Sequence, residues 1–252
     1  MSPRSLASTA APPVPAAPES TTPFATRTRP ALWLVRHGES TWNVAGLAQG
    51  HNDEAELTER GLRQAAEAAG QFRARAVRSI YASDLRRARQ TAAAFAAVLG
   101  LPVHTDSRLR ERSLGVLEGS RSTTIDESVT GLAGGLVIDP DTRPPAGESV
   151  RDLYLRAAEF CDDLAARLRD SRDGRAASTW PAGTGLAGTG LAGAGLAGTG
   201  GDVLVVAHGG TLRVLDAYLH GVAVDEMTWR PVGNAAIVRI PEFGSQPRGG
   251  SR

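Results

Sequence analysis

Two histidines of this chain each follow an apolar run and precede a glycine. Leu32-Trp33-Leu34-Val35 leads into Arg36-His37-Gly38, and Val203-Leu204-Val205-Val206-Ala207 leads into His208-Gly209-Gly210. A third block, Ser83-Asp84-Leu85-Arg86-Arg87, follows the short stretch Ser79-Ile80-Tyr81-Ala82. A lone histidine in such a place is more often structural. Two equivalent ones in a chain with arginines at the same strand ends point to phosphate chemistry. A guanidinium grips phosphate oxygens two at a time and stays charged. Glycines let backbone N–H groups approach an anion closely, and a helix start adds its dipole. A neutral imidazole is a competent nucleophile near pH 7 and can carry a phosphoryl group transiently.

Such chemistry requires the three blocks to reach one edge of one sheet, and the patterning predicts elements that would bring them there. Leu32–Arg36 reads as a buried strand. Leu57-Thr58-Glu59-Arg60 opens a helix to about Arg73, with Thr58 as its N-cap. A short strand over Ser79–Ala82 precedes an alanine-rich helix from Leu85 to Leu99, and Val103–Thr105 reads as a strand. Ser149 caps a long amphipathic helix to about Arg169. Val203–Ala207 is the clearest buried strand, a helix follows from Thr211 to Leu219, and Ala235–Arg239 closes the sheet. Apolar strands alternating with helices predict an α/β fold, a three-layer α/β/α sandwich around a mainly parallel sheet. In that architecture ligands bind outside the carboxyl ends of the strands.

Composition narrows the function. The chain has 252 residues, 41% of them hydrophobic, enough for one sizeable core. Its formal net charge of +1 gives no basic field for nucleic acid or an anionic membrane. All its basic residues are arginine, which excludes Schiff-base and P-loop lysine chemistry. The single cysteine, Cys161, excludes an internal disulfide and a cysteine zinc site; it falls on a helical apolar stripe with Tyr154, Phe160, Leu164 and Leu168, as a core residue would. No run is long enough to span a membrane, and the N-terminus lacks a signal peptide's apolar core, so a cytoplasmic protein is expected. Residues 1–29, rich in Pro, Ala, Ser and Thr, read as a disordered extension. Residues 179–201, which carry the repeat GTGLAGTGLAGAGLAGTGG, read as a flexible glycine-rich insertion, and 244–252 as a disordered tail. Between them, 30–243 reads as a single domain with a cap segment at 120–147.

The separated blocks, in this order, resemble those of the histidine phosphatase superfamily, the phosphoglycerate-mutase-like clan, from about residue 31 to 241. LVRHGES (34–40) with Asn43 is similar to the family signature, and LTERGLRQA (57–65) to its first helix. SDLRRARQTA (83–92) resembles its second arginine block, LRERSLGVLEG (109–119) its acid block, PPAGES (144–149) the turn after its cap, and VVAHGG (205–210) its second histidine. The resemblance implies that His37 is the nucleophile and forms a phosphohistidine. It implies that Arg36, Arg87 and His208 hold the phosphate, helped by Asn43 and the backbone of Gly209. Glu111 would be the general acid that protonates the leaving alkoxide and then, as a carboxylate, activates water. Glu118 also matches the pattern without a proton-transfer role. Gly38 is expected to leave room for the phosphate, and Arg86 and Arg89 are turned away from the site by their helical spacing. No cofactor and no metal are implied; the partner is a small phosphorylated metabolite, and a homodimer is left open.

Rival readings exist. His37, His208 and Glu111 form a His₂Glu set on paper, but neighbouring arginines disfavour a dication and no HExxH spacing is present. A 2,3-bisphosphoglycerate-dependent mutase must retain two anionic groups of its substrate and uses a longer, more basic cap. Here Ser120 to Ala146 is short, with only Arg121 and Arg143 as cations, which favours a phosphoric monoester hydrolase. An inactive phospho-ligand binder would be expected to lose the nucleophile or the acid, and this chain keeps both. The cap has no aromatic to stack a base or sugar, Trp33 is expected in the core, and Trp42 either lines the pocket or packs beside its loop. The metabolite itself is not legible.

Overall fold

The computed structural model describes residues 29–172 and 201–243. Apart from Arg29 and Gly201, the N-terminal extension, the glycine-rich insertion and the tail lie outside the described residues. Five strands form one sheet in the order β3-β2-β6-β1-β7. These are β1 (Leu32–Arg36), β2 (Val77–Ala82), β3 (Val103–Thr105), β6 (Asp202–Ala207) and β7 (Ile237–Ile240). The first four run parallel, and β7 is antiparallel to β1. Alternation along the strands sends side chains to two cores. Leu32 and Leu34 of β1, with Val203, Val205 and Ala207 of β6, face a cluster shared with Leu153, Phe160, Leu164, Leu212 and Leu215. Trp33, Val35, Leu204 and Val206 face the other, shared with Ala68, Phe72, Ala88 and Phe95. Helices therefore cover both faces, α2 (Glu59–Gly70) and α3 (Arg86–Leu99) on one, α4 (Val150–Arg172) and α5 (Gly209–Leu219) on the other. Because both faces are covered, the central strands β1 and β6 are nearly continuous apolar runs rather than half-polar ones.

Local chemistry sets the helix ends. The Thr58 hydroxyl accepts the Gly61 N–H at 3.0 Å and starts α2. Ser149 and Asp152 form a reciprocal cap on α4: Ser149 N–H donates to Asp152 Oδ2 at 2.8 Å, and Asp152 N–H donates to Ser149 Oγ at 3.0 Å. Helix α3 stops at Gly100, whose φ of 66° suits a residue without a side chain.

Helix α2 ends at Gly70 rather than about Arg73 and β2 begins at Val77 rather than Ser79, and four further details differ from the sequence expectation. Helix α5 begins at Gly209, two residues early, because His208 is extended and serves as its N-cap. Strand β7 begins at Ile237 rather than Ala235, since Ala235 has a φ of 55°, outside the strand region. A five-residue helix, α1 (Thr41–Ala45), follows the first histidine block. In the cap, β4 (Leu132–Ala133) and β5 (Leu136–Val137) form a small hairpin about Gly134-Gly135, both at positive φ. Strands of two residues carry too little periodicity to be read in advance. No helix among the described residues is long and apolar enough to cross a membrane.

Candidate active site

Parallel pairing of β1 and β6 places Arg36 opposite Ala207, so His37 and His208 leave the sheet side by side. Their ring centroids are 5.2 Å apart. His37 Nδ1 lies 2.7 Å from the Gly38 carbonyl oxygen. A carbonyl can only accept, so Nδ1 carries the hydrogen and Nε2 keeps its lone pair. Burial, then the charges of Arg87 and Arg36, hold the His37 pKa well below 6.5. The imidazole is therefore neutral and ready to attack an electrophile.

His208 is wholly buried, with Nε2 2.8 Å from Ser83 Oγ and, among the described residues, no hydrogen-bond partner at Nδ1. Burial is the first cause of its lowered pKa, followed by Arg87 and His37. Arg87, from the first turn of α3, is also wholly buried. Its Nη1 donates to Asn52 O and its Nη2 to Gly50 O, each at 2.8 Å, and Nε has no partner. Burial brings its pKa down to about 10, so it remains a cation at neutral pH. Arg36 donates through Nη1 to Val232 O and likewise leaves Nε unpartnered. Thr91 ties the two blocks together: it accepts the Gly38 N–H at 3.1 Å and donates to Arg87 O at 2.8 Å.

Glu111 approaches from the loop after β3. Its Oε1 accepts the Arg112 N–H at 2.8 Å, and its Oε2 accepts the Gly210 N–H at 2.9 Å, at the start of α5. A side chain at Gly210 would run into Glu111 Oε1, so the second glycine of the HGG block is what admits the acid. Arg156 of α4 clamps the acid loop. It donates through Nη1 to Arg108 O (2.8 Å) and Arg110 O (2.7 Å), and through Nη2 to Glu111 O (2.7 Å) and Glu148 Oε2 (2.8 Å). Its Nε completes the grip on Glu148 Oε1 at 2.9 Å. Asp84 adds a second brace, accepting twice from Arg110, the residue before the acid, at 2.8 and 2.6 Å.

A cavity of about 570 Å³ opens between the sheet edge and the cap, and Arg36, His37, Arg87 and Glu111 all line it. His208, Gly209 and Asn43 are not on its wall. His208 sits behind His37, and a Cβ at Gly209 would lie 3.6 Å from Arg36 Nε. Asn43 closes a capping box on α1, its Oδ1 accepting from Ser40 N at 3.0 Å and from Asn234 Nδ2 at 3.1 Å. Gly38 does not make room for a ligand: a Cβ there would strike the Gly61 carbonyl, so its smallness lets the turn after β1 pack against α2. Glu118 is a loop anchor that accepts from His51 N (2.9 Å) and Leu114 N (3.0 Å). Arg86 pairs with Glu56 and Arg89 with Asp53, away from the cavity. Trp33 is a core residue, edge-on to Phe72, and the Trp42 ring packs 3.6 Å from where a Gly119 side chain would begin.

Sequence reading missed four participants. Arg112, Arg213 and Trp229 line the cavity, and Ser83 touches His208. Arg213 lies on the same helix as the second histidine block, five residues on, so its spacing was a usable signal. Trp229 sits in a loop with no periodicity, and nothing in its surroundings marked it. The guanidiniums favour an anion in the cavity, and both Glu111 oxygens are already engaged by amide hydrogens.

The sequence profile of the histidine phosphatase superfamily (branch 1) matches residues 32–173 and 192–248. A probable phosphoglycerate mutase GpmB of Cronobacter sakazakii is 40% identical over 137 residues, 53% of this chain and 63% of that protein. This chain thus spans less than two-thirds of that relative. Among solved structures, a mycobacterial glucosyl-3-phosphoglycerate phosphatase superposes with a TM-score of 0.65 at 31% identity, covering 84% of this chain and 90% of that one. A phosphoserine phosphatase of Entamoeba histolytica shares the fold, with a TM-score of 0.60 at 23% identity. With the profile matched along most of its length and the two histidine blocks side by side at the sheet edge, this chain belongs to the histidine phosphatase superfamily.

Proposed function

We propose that the protein is a phosphomonoesterase that hydrolyses a small phosphorylated metabolite through a phosphohistidine at His37. One observation carries the reading: the Gly38 carbonyl holds the Nδ1 hydrogen of His37, which leaves an Nε2 lone pair in a cavity walled by Arg36, Arg87 and Glu111. Nε2 forms a bond to phosphorus as the ester P–O bond breaks, and Glu111 gives its proton to the leaving oxygen. The guanidiniums of Arg36 and Arg87 hold charge on the phosphoryl oxygens in a site that needs no reorganisation, and His208 packs beside the attacking imidazole. Water then attacks phosphorus as the P–N bond breaks, and Glu111 takes the proton of that water. Inorganic phosphate leaves, and His37 and Glu111 return to their starting states.

The mutase reading suggested by the name of the GpmB relative must be weighed against this one. The cap cations give it no support: Arg143 pairs with Asp152 at 2.7 Å, and neither Arg143 nor Arg121 lines the cavity. The solved phosphatase of similar length supports hydrolysis instead. Rapid mixing with a ³²P-labelled ester, followed by an alkaline quench, tests the proposal. Label should appear on the wild-type protein and not on His37→Ala, and released phosphate should account for the turnover. Transfer between positions of phosphoglycerate that outruns phosphate release would establish the mutase; hydrolysis surviving in His37→Ala would end the phosphohistidine mechanism.

A further inference from the structure

We propose that the substrate carries a second anionic group, a carboxylate or a second phosphate, within a few bonds of the ester oxygen, and that Arg213 receives it. The inference rests on the hydrolase reading above. Arg213 lies one helical turn beyond Gly209 on α5 and lines the cavity. Its Nε donates to Arg230 O, and its guanidinium lies over the Trp229 ring, 4.8 Å from the centroid. Those two contacts fix its plane. Neither terminal amine has a hydrogen-bond or ion-pair partner among the described residues.

A half-buried guanidinium usually meets a carboxylate. Here the one carboxylate on the cavity wall, Glu111, turns both oxygens to backbone N–H groups. Besides the Glu111 charge, the neighbouring group is another cation: a Cβ built at Gly209 would lie 3.4 Å from Arg213 Nη1 and 3.6 Å from Arg36 Nε. Arg36 and Arg87 already bring two charges to the phosphoryl group of the ester, as many as a phosphate dianion carries. Arg112, the fourth cation of the wall, spends Nε on Glu148 O and Nη2 on Thr130 O. Its Nη1 has no partner among the described residues, but it is buried and held on both sides by these two bonds, whereas Arg213 has both terminal amines unpaired.

Trp229 gives the direction. A Cβ at Gly210 would lie 3.2 Å from Trp229 Cζ2 and would meet Glu111 Oε1, so the indole has the acid at its edge and Arg213 on its face. The ester oxygen must reach Glu111. The carbon skeleton of the alcohol then runs along Trp229, and a charged substituent on the next carbons arrives at Arg213.

Three probes test the inference: glycerol 3-phosphate, 3-phosphoglycerate, which exchanges a hydroxymethyl group for a carboxylate, and glycerol 1,3-bisphosphate. At least one doubly anionic ester should exceed glycerol 3-phosphate in kcat/KM by about 10- to 100-fold, as a charge-assisted pair predicts. Which of the two does so identifies the second group. Arg213→Gln should bring the ratio to within about threefold of one, and Arg213→Lys, which keeps the charge without the planar stack, should retain part of it. A wild-type ratio near one, or an equal loss for all three esters and for inhibition by inorganic phosphate, would overturn the proposal; the equal loss would make Arg213 a ligand of the transferred group. Calorimetric binding of the same esters to His37→Ala separates the two readings. A binding preference without hydrolysis by the wild type removes the hydrolase and keeps the subsite, whereas hydrolysis without a preference removes the subsite alone.

Discussion

Ser83 Oγ stands 2.8 Å from His208 Nε2, and both residues are wholly buried. The Ser83 oxygen also accepts the Leu85 N–H at 3.3 Å. If His208 donated to it as well, the serine hydrogen would be buried without an acceptor, at a cost of about 1–3 kcal/mol. Donation from Ser83 to Nε2 leaves one buried group unsatisfied instead of two, the imidazole hydrogen on Nδ1, which has no partner among the described residues. His208 then carries its hydrogen at Nδ1. ¹⁵N NMR of labelled protein should show the Nδ1–H tautomer at His208. Ser83→Ala should shift the population toward Nε2–H and lower kcat by about tenfold or more. An unchanged tautomer in that variant would make Ser83 a packing residue only.

In the proposed mechanism His37, as the nucleophile, sets the acid limb of the pH profile. Its pKa is held well below 6.5 by burial and by Arg87 and Arg36, so the nucleophile stays neutral as the medium becomes mildly acidic. The limb in kcat/KM that belongs to His37 should therefore lie well below pH 6.5. Removing a neighbouring positive charge favours the imidazolium, so Arg87→Gln should move that limb to higher pH in addition to weakening phosphate binding. A limb that stays in place would show that Arg87 does not govern the ionisation of His37.

Glu111→Gln removes the proton donor while keeping the shape. Alkyl phosphates, whose leaving oxygens need a proton, should lose about 10²–10⁴-fold in kcat, and aryl phosphates much less. Gly210→Ala should copy that pattern, because the new methyl group displaces the Glu111 carboxylate without touching His37. Equal losses on both ester classes would remove Glu111 from the role of acid.

Arg156 makes five hydrogen bonds, to three carbonyls of the acid loop and to both oxygens of Glu148. Arg156→Met should lower the urea unfolding free energy by about 3–5 kcal/mol, since it leaves Glu148 and the carbonyls without their donor. Arg156→Lys, which cannot reach five acceptors, should recover only part of that loss. A drop within about 0.5 kcal/mol would mean the loop holds itself.

The strands and long helices were legible because their signals are local. Leu32–Arg36 is continuous apolar chain, and Thr58 and Ser149 are side-chain caps visible three residues ahead of their targets. The two histidine blocks were legible because each follows such a strand. The braces were not. Arg156 reaches the acid loop across about 45 residues, and the partner of Ser83 lies 125 residues away, separations at which spacing carries no information. Asn43 and Gly38 show the opposite limit. Both sit within a recognisable signature, yet the capping box of one and the helix contact of the other are seen only in three dimensions.

The strand order bears on how the molecule is made. β6 is among the last elements in the chain and the middle one in the sheet, lying between β2 and β1. Until residues 202–207 have left the ribosome, β1 and β2 have no common partner and His37 has no second imidazole beside it. The nascent protein therefore carries His37 for most of its synthesis on an unfinished sheet with an exposed edge. A chain halted before Asp202 has His37, Arg87 and Glu111 and still has no pocket.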